Sequence, residues 1–297
     1  MPDALNSPTD DADAADAAQA PDVQDPTLIM GVHGVLVLHP WIARASAEFD
    51  LDPDVFGLAV QRAEAYGWSS THLGPAGELD GRRWSHHDAG GDWTQDGRVR
   101  EVAWLQVGAA RGLRGQRLPV LPVATVLGDV LRRVGRFRLT GLHTVAPPHL
   151  APDAAAVLAG AADWFALADP DGAAGLTVTV SGREADGADR APLVRKHTQE
   201  SAYGRLALTG ILPADVLSSG PLPTGLARPL TGAVQTEGMR PLMAFGCRAR
   251  EWSPDVAAWT TEVVLDALRA TGTTESVLVT VSVEDGGVPG GTGAAET

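Results

Sequence analysis

The stretch that decides the fold is Val123-Ala124-Thr125-Val126-Leu127-Gly128-Asp129-Val130-Leu131-Arg132-Arg133-Val134, followed at once by Gly135-Arg136-Phe137-Arg138-Leu139-Thr140-Gly141-Leu142-His143-Thr144-Val145. The first part sets apolar side chains at 123, 126, 127, 130, 131 and 134, the period of a helix with one buried stripe, and Gly135 is its stop. The second part drops to a period of two, so the chain passes directly from helix to strand. A striped helix and a one-faced strand each need a partner layer, which predicts an α+β architecture.

The same grammar extends in both directions. Asp52 and Pro53 are read as N-cap and first helical residue before Val55, Phe56, Ala59, Val60 and Ala63, with Gly67 as the stop. A third helix is expected from Pro152-Asp153 through Val157, Leu158, Ala161, Trp164 and Phe165, and a fourth from Ser253-Pro254-Asp255 to Gly272. Strands are expected at 28–38, 99–107, 136–145, 176–180, 204–212, 239–246 and 277–283. If 70–107 supplies a hairpin, the first half runs β-α-β-β-α-β. The expected fold is therefore α+β, with two related ferredoxin-like halves at 27–148 and 149–283 and helices covering one sheet face. One internal match, Gly135-Arg136-Phe137-Arg138-Leu139-Thr140-Gly141-Leu142 against Gly204-Arg205-Leu206-Ala207-Leu208-Thr209-Gly210-Ile211, reads either as a trace of duplication or as coincidence between two strands of common residues.

Composition narrows the function classes. With 44% hydrophobic and 20% charged residues in 297, the chain is neither collagen-like nor fully disordered, and the apolar run Leu28–Leu38 is too short to cross a bilayer. No secretory signal is read at the start, so the expected location is cytoplasmic. Formal net charge is −14, but residues 1–26 hold seven Asp and residues 284–297 three more acids, with no basic residue in either. Both segments are expected to be disordered tails. Residues 27–283 then carry 27 acidic against 23 basic side chains, so nucleic acid is disfavoured by missing motifs more than by charge. The single cysteine, Cys247, excludes an internal disulfide, and the single lysine, Lys196, leaves a P-loop or Schiff-base enzyme little to work with.

The densest chemistry lies in Trp84-Ser85-His86-His87-Asp88-Ala89-Gly90-Gly91-Asp92-Trp93. Two imidazoles and two carboxylates on such a segment can move protons near neutral pH or hold a divalent ion, so His86, His87, Asp88 and Asp92 are candidate catalytic residues. Adjacent histidines point to opposite sides if the segment is extended, and no zinc spacing is present, so no metal ligand is assigned. The paired histidines resemble the start of the HHxxxDG motif of the chloramphenicol acetyltransferase and condensation-domain family. The resemblance departs at Asp92, one position late and followed by Trp93, and nothing is carried over from it. His143 is a further candidate base, since Phe137, Leu139, Gly141, His143 and Val145 would share one face of an unbroken strand and burial would keep that imidazole neutral. Of eight Trp, five fall within 41–104, at positions 41, 68, 84, 93 and 104. Trp84, Trp93 and Trp104 are the candidate ligand contacts, against the alternative that they fill the core.

The sequence supports two functional expectations. The first is a binding or assembly protein that recognises a small apolar ligand or a partner chain, through the Trp-rich first half or the crevice between halves. The second is a biosynthetic enzyme that uses the His/Asp group. No cofactor is indicated, and the partner is expected to be a small molecule or a protein, not a nucleic acid or a membrane.

Overall fold

Strand β1 (Thr27–Leu38) pairs antiparallel with β3 (Arg100–Ala109) on one side and β4 (Gly135–Ala146) on the other. β2 (Trp84–Gly90) lies outside β3, and β4 pairs with β8 (Val277–Val283), which carries the sheet on through β5 (Ala174–Gly182) and β7 (Arg240–Ala249) to β6 (Ala207–Leu212). These ladders come from a computed structural model that describes residues 27–49, 53–69, 84–109, 118–150, 155–183, 187–212, 225–227 and 235–283. Among them the sheet has eight strands, all antiparallel, in the order β2-β3-β1-β4-β8-β5-β7-β6. Read outward from the β4–β8 junction, each side shows its own fourth, first, third and second strand. The expected tails, 1–26 and 284–297, and the expected helix start at Pro152-Asp153 lie outside the described residues.

Among the described residues six α-helices accompany the sheet: α1 (Pro40–Phe49), α2 (Val55–Ala65), α3 (Val120–Val134), α4 (Ala155–Phe165), α5 (Ala191–Ser201) and α6 (Pro254–Ala270). None of the described helices is long and apolar enough to cross a membrane. The stripe predicted on α3 is the buried one: Val123, Val126, Leu127, Val130, Leu131 and Val134 all pack inward. With α6 they cover Leu28, Met30 and Val32 of β1, Ala103, Leu105 and Val107 of β3, and Val178, Phe245, Val279 and Val281 of the second half, in one core that runs across the junction. Each such side chain contributes about 1.5–3 kcal/mol by leaving water. The period of two at 176–180 is also realised, with Leu176, Val178 and Val180 buried and Thr177 and Thr179 half-buried on the other face.

Local signals are displaced in several places. The N-cap of α2 is Asp54, whose carboxylate accepts the Gly57 amide at 2.7 Å, two residues beyond the expected Asp52. Ser253 caps α6 as read, accepting from Val256 N at 3.2 Å. Helices α1 and α5 are additions to the expected set. The polar run Arg195-Lys196-His197 lies inside α5, whose inward positions are the small or polar Ala191, Val194 and Thr198. The matched segments 135–142 and 204–211 do not occupy equivalent places, because the first belongs to the junction strand β4 and the second to a turn and the edge strand β6.

Two bulges decide which side chains reach the face of the sheet opposite the described helices. Against β1, β3 holds one extra residue at Val102 and β4 one extra at Thr140. A bulge resets the alternation of faces along its strand. Phe137 and Leu139 therefore pack with the helix-covered core, while Gly141, His143 and Val145 lie on the other face, which corrects the single face expected for all five. Glu101, by the same reset in β3, joins that second face.

Candidate functional site

Three polar side chains meet on the face away from the helices, one from each of three neighbouring strands. His33 of β1 stands opposite Glu101 of β3, and His143 of β4 stands opposite Gly31 of β1. All three are buried, at 1%, 1% and 3% exposure, on interior strands of the sheet. His33 Nε2 and His143 Nδ1 are 2.8 Å apart, and His143 Nε2 is 3.5 Å from Glu101 Oε1. The missing side chain of Gly31 makes this possible, because a Cβ there would collide with His143 Cε1 and Glu101 Oε1.

The far end of the chain of contacts is set by a turn. Ala227 N donates to His33 Nδ1 at 3.2 Å, so that nitrogen is an acceptor and the proton of His33 sits on Nε2. Nε2–H then donates to His143 Nδ1, which leaves the proton of His143 on Nε2, toward Glu101. The turn is seated on β4, where Thr140 Oγ1 donates to the Gly225 carbonyl at 2.7 Å. Gly141 is what admits it, since a Cβ there would lie 2.5 Å from Leu226 Cδ2 and 2.9 Å from Gly225 O. Burial pushes both imidazoles well below the usual histidine range, His33 to about 4 and His143 lower still, to about 3, with the neighbouring ring adding to the second shift. At neutral pH both are uncharged.

One step along the strands from Gly31 and His143 lies a cavity of about 510 Å³. Thr27 and Ile29 of β1, His87 of β2, Gln106 of β3 and Val145 of β4 line it, together with Arg183, Gln235 and Ser276 from later in the chain. Arg183 is fixed by its Nε on Glu237 O at 2.9 Å and its Nη2 on Gln235 O at 2.6 Å. Among the described residues the lining contains Arg183 and no carboxylate. A groove of similar size, about 480 Å³, separates α2 from α3, but Arg62 and Arg132 there are both paired with Asp129 at 2.7 and 2.8 Å.

The residues singled out in 84–93 do not converge. His86 points toward the helix side, its Nε2 2.8 Å from Ser69 Oγ, between the rings of Phe56 and Trp84. His87 points the other way, 3.3 Å from Ser85 Oγ and against Gly108, which brings it to the rim of the cavity. Asp88 is exposed and accepts the Ala89 amide at 2.9 Å. Asp92 pairs with Arg100 and accepts Thr94 N at 2.9 Å, which closes the β2–β3 connection. Trp84 is wholly buried in the core, and Trp93, half-buried, packs on that core with Nε1 on Val102 O at 2.8 Å. Trp104, half-buried and opposite Gly31, is the one of the three that shares the face of His143.

Of the candidate bases only His143 belongs to the buried cluster. Its partners His33 and Glu101 escape sequence reading, although His33 is the one ionisable residue of β1 and lies between Gly31 and Gly34. The chain matches no protein-family model, and searches of curated proteins and of solved structures return no match.

Proposed function

We propose that this is a ligand-binding protein built from two ferredoxin-like halves, 27–148 and 149–283, whose cavity on the sheet face opposite the described helices takes a small anionic molecule. The observation that carries the reading is the lining of that cavity: both halves contribute, and among the described residues it holds the anchored Arg183 and no carboxylate. Its volume of about 510 Å³ suits a small metabolite. The strand order, with fourth and first strands innermost on each side of the β4–β8 junction, supports the division into halves. The polar lining moves the ligand class away from the apolar molecule expected from the Trp count. A cytoplasmic location belongs to the same reading.

The test is a thermal-shift and calorimetric panel of inorganic phosphate, acetate, succinate and citrate on the full chain. A bound anion raises the melting temperature as its concentration passes its dissociation constant. The expected result is a saturable shift with one anion class that Arg183→Ala removes. A flat response across the panel, or a shift that survives Arg183→Ala, overturns the reading.

A second reading, a biosynthetic enzyme, is favoured by one observation: the buried contact of His143 with His33 and Glu101 lies next to the cavity. Its residues would then be His33, His143 and Glu101, with His87 at the rim, in place of His86, Asp88 and Asp92.

A further inference from the structure

We infer that His33, His143 and Glu101 form a divalent transition-metal site with at least one coordination position left for an exogenous ligand. One ligand atom from each residue lies within 4.8 Å of the others, and all three residues are buried. Donors held around one ion at about 2.0–2.1 Å and about 90–110° lie about 2.8–3.4 Å apart, and His33 Nε2 and His143 Nδ1 are already 2.8 Å apart. Three adjacent strands of one ladder, β3, β1 and β4, supply one donor each, so the frame is rigid and only the Glu101 side chain has to swing inward.

The donor set selects the ion. Two imidazole nitrogens and one carboxylate oxygen suit Zn²⁺, Fe²⁺, Co²⁺ or Mn²⁺ better than Ca²⁺ or Mg²⁺, which prefer all-oxygen shells. Three protein ligands leave a tetrahedral ion one position short and an octahedral ion three, the pattern of sites that act on a bound molecule.

Ligation rearranges one proton. In the hydrogen-bonded arrangement Ala227 N holds the His33 proton on Nε2, the nitrogen that faces His143. When Nε2 takes the ion, that proton moves to Nδ1 and the 3.2 Å contact from Ala227 is given up, so the imidazoles bear the same number of protons before and after. The 225–227 turn, seated on Thr140 and Gly141, is the part that yields.

The experiment is calorimetric titration of the untagged full chain, treated with chelator and desalted, with Zn²⁺, Co²⁺ and Mn²⁺, with X-ray absorption on the zinc-loaded wild type. The expected result is one ion per chain, a zinc shell containing two imidazoles, and affinity at least 100-fold weaker in His143→Gln and Glu101→Gln, while His197→Ala, on α5, binds as the wild type does. The absorption measurement needs no variant, so a folding defect in either substitution does not blunt the test. Absence of stoichiometric binding, a shell without two imidazoles, or binding untouched by both substitutions overturns the site and leaves a hydrogen-bonded histidine pair beside Glu101 only.

Discussion

His33 and His143 stand 110 residues apart in the chain and 2.8 Å apart across the β1–β4 ladder, with the Nε2 proton of one directed at Nδ1 of the other. The direction is imposed from outside the pair, because Ala227 N occupies the remaining nitrogen of His33. Each ring is therefore the only protein acceptor or donor found for its partner at that atom among the described residues, and the two act as a unit.

That unit predicts non-additivity. His143→Leu leaves the His33 Nε2–H buried without its acceptor, which costs about 1–3 kcal/mol. His33→Leu strands His143 Nδ1 at similar cost. The double substitution removes both polar ends together, and its destabilisation is expected to fall well below the sum of the singles. Urea unfolding of the three variants checks this. Costs that add within about 0.5 kcal/mol would show that the two imidazoles are independent.

Gly31 tests how tightly the cluster is packed. A methyl group at this position would meet His143 Cε1 and Glu101 Oε1, both held by backbone ladders, and would lie 2.7 Å from His143 Nδ1. Gly31→Ala should destabilise by about 1–3 kcal/mol, the usual cost of overpacking. Gly210→Ala is the matched control, since a Cβ there meets nothing within 4 Å, and it should be neutral or slightly stabilising. Equal midpoints for the two variants in urea would contradict the packing described.

His86 has a different consequence, in pH. Burial against Ser69, Phe56 and Trp84 lowers its pKa to about 4 from the ordinary 6.5. Between those values the unfolded chain binds a proton that the folded chain refuses, so stability falls as pH falls from 6.5 toward 4 and is fully present above 6.5. The check is the difference in urea midpoint between wild type and His86→Gln across pH 4–8. It should shrink in favour of the variant as pH drops through that window, and a difference independent of pH would refute the assignment.

These residues also show where sequence reading stops. The α3 stripe and the alternation at 176–180 are written in periodicity and survive unchanged in the fold. A bulge has no such signature: nothing in Arg138-Leu139-Thr140-Gly141 announces that Thr140 is an extra residue, so simple alternation puts His143 on the face of Leu139 when it lies on the opposite one. The histidines of 86–87 draw notice because they are adjacent, yet adjacency in a strand separates side chains. His33, Glu101 and His143 are brought together only by the registers of two ladders, which depend on packing of the whole sheet and leave no local pattern. Helix α5 is hidden for a related reason, because its inward side chains are small or polar and its apolar period is faint.

Gly141 controls the turn over the cluster. Leu226 and Gly225 sit where the side chain of residue 141 would be, and Thr140 Oγ1 holds the Gly225 carbonyl at 2.7 Å. Gly141→Ala forces the turn outward by displacing Leu226 and loosens the Ala227 contact to His33 without altering any of the three cluster residues. The expected outcome is faster hydrogen exchange at the Ala227 amide, with exchange in the core of β8 unchanged, since Val279 and Val281 face the helices. The same substitution releases the constraint that keeps the His33 proton on Nε2, so the two His33 tautomers should become comparably populated in ¹⁵N imidazole spectra at pH 7. A single Nε2–H tautomer in both proteins would mean that Ala227 does not set the direction of the chain, and that Glu101 orders it from the other end.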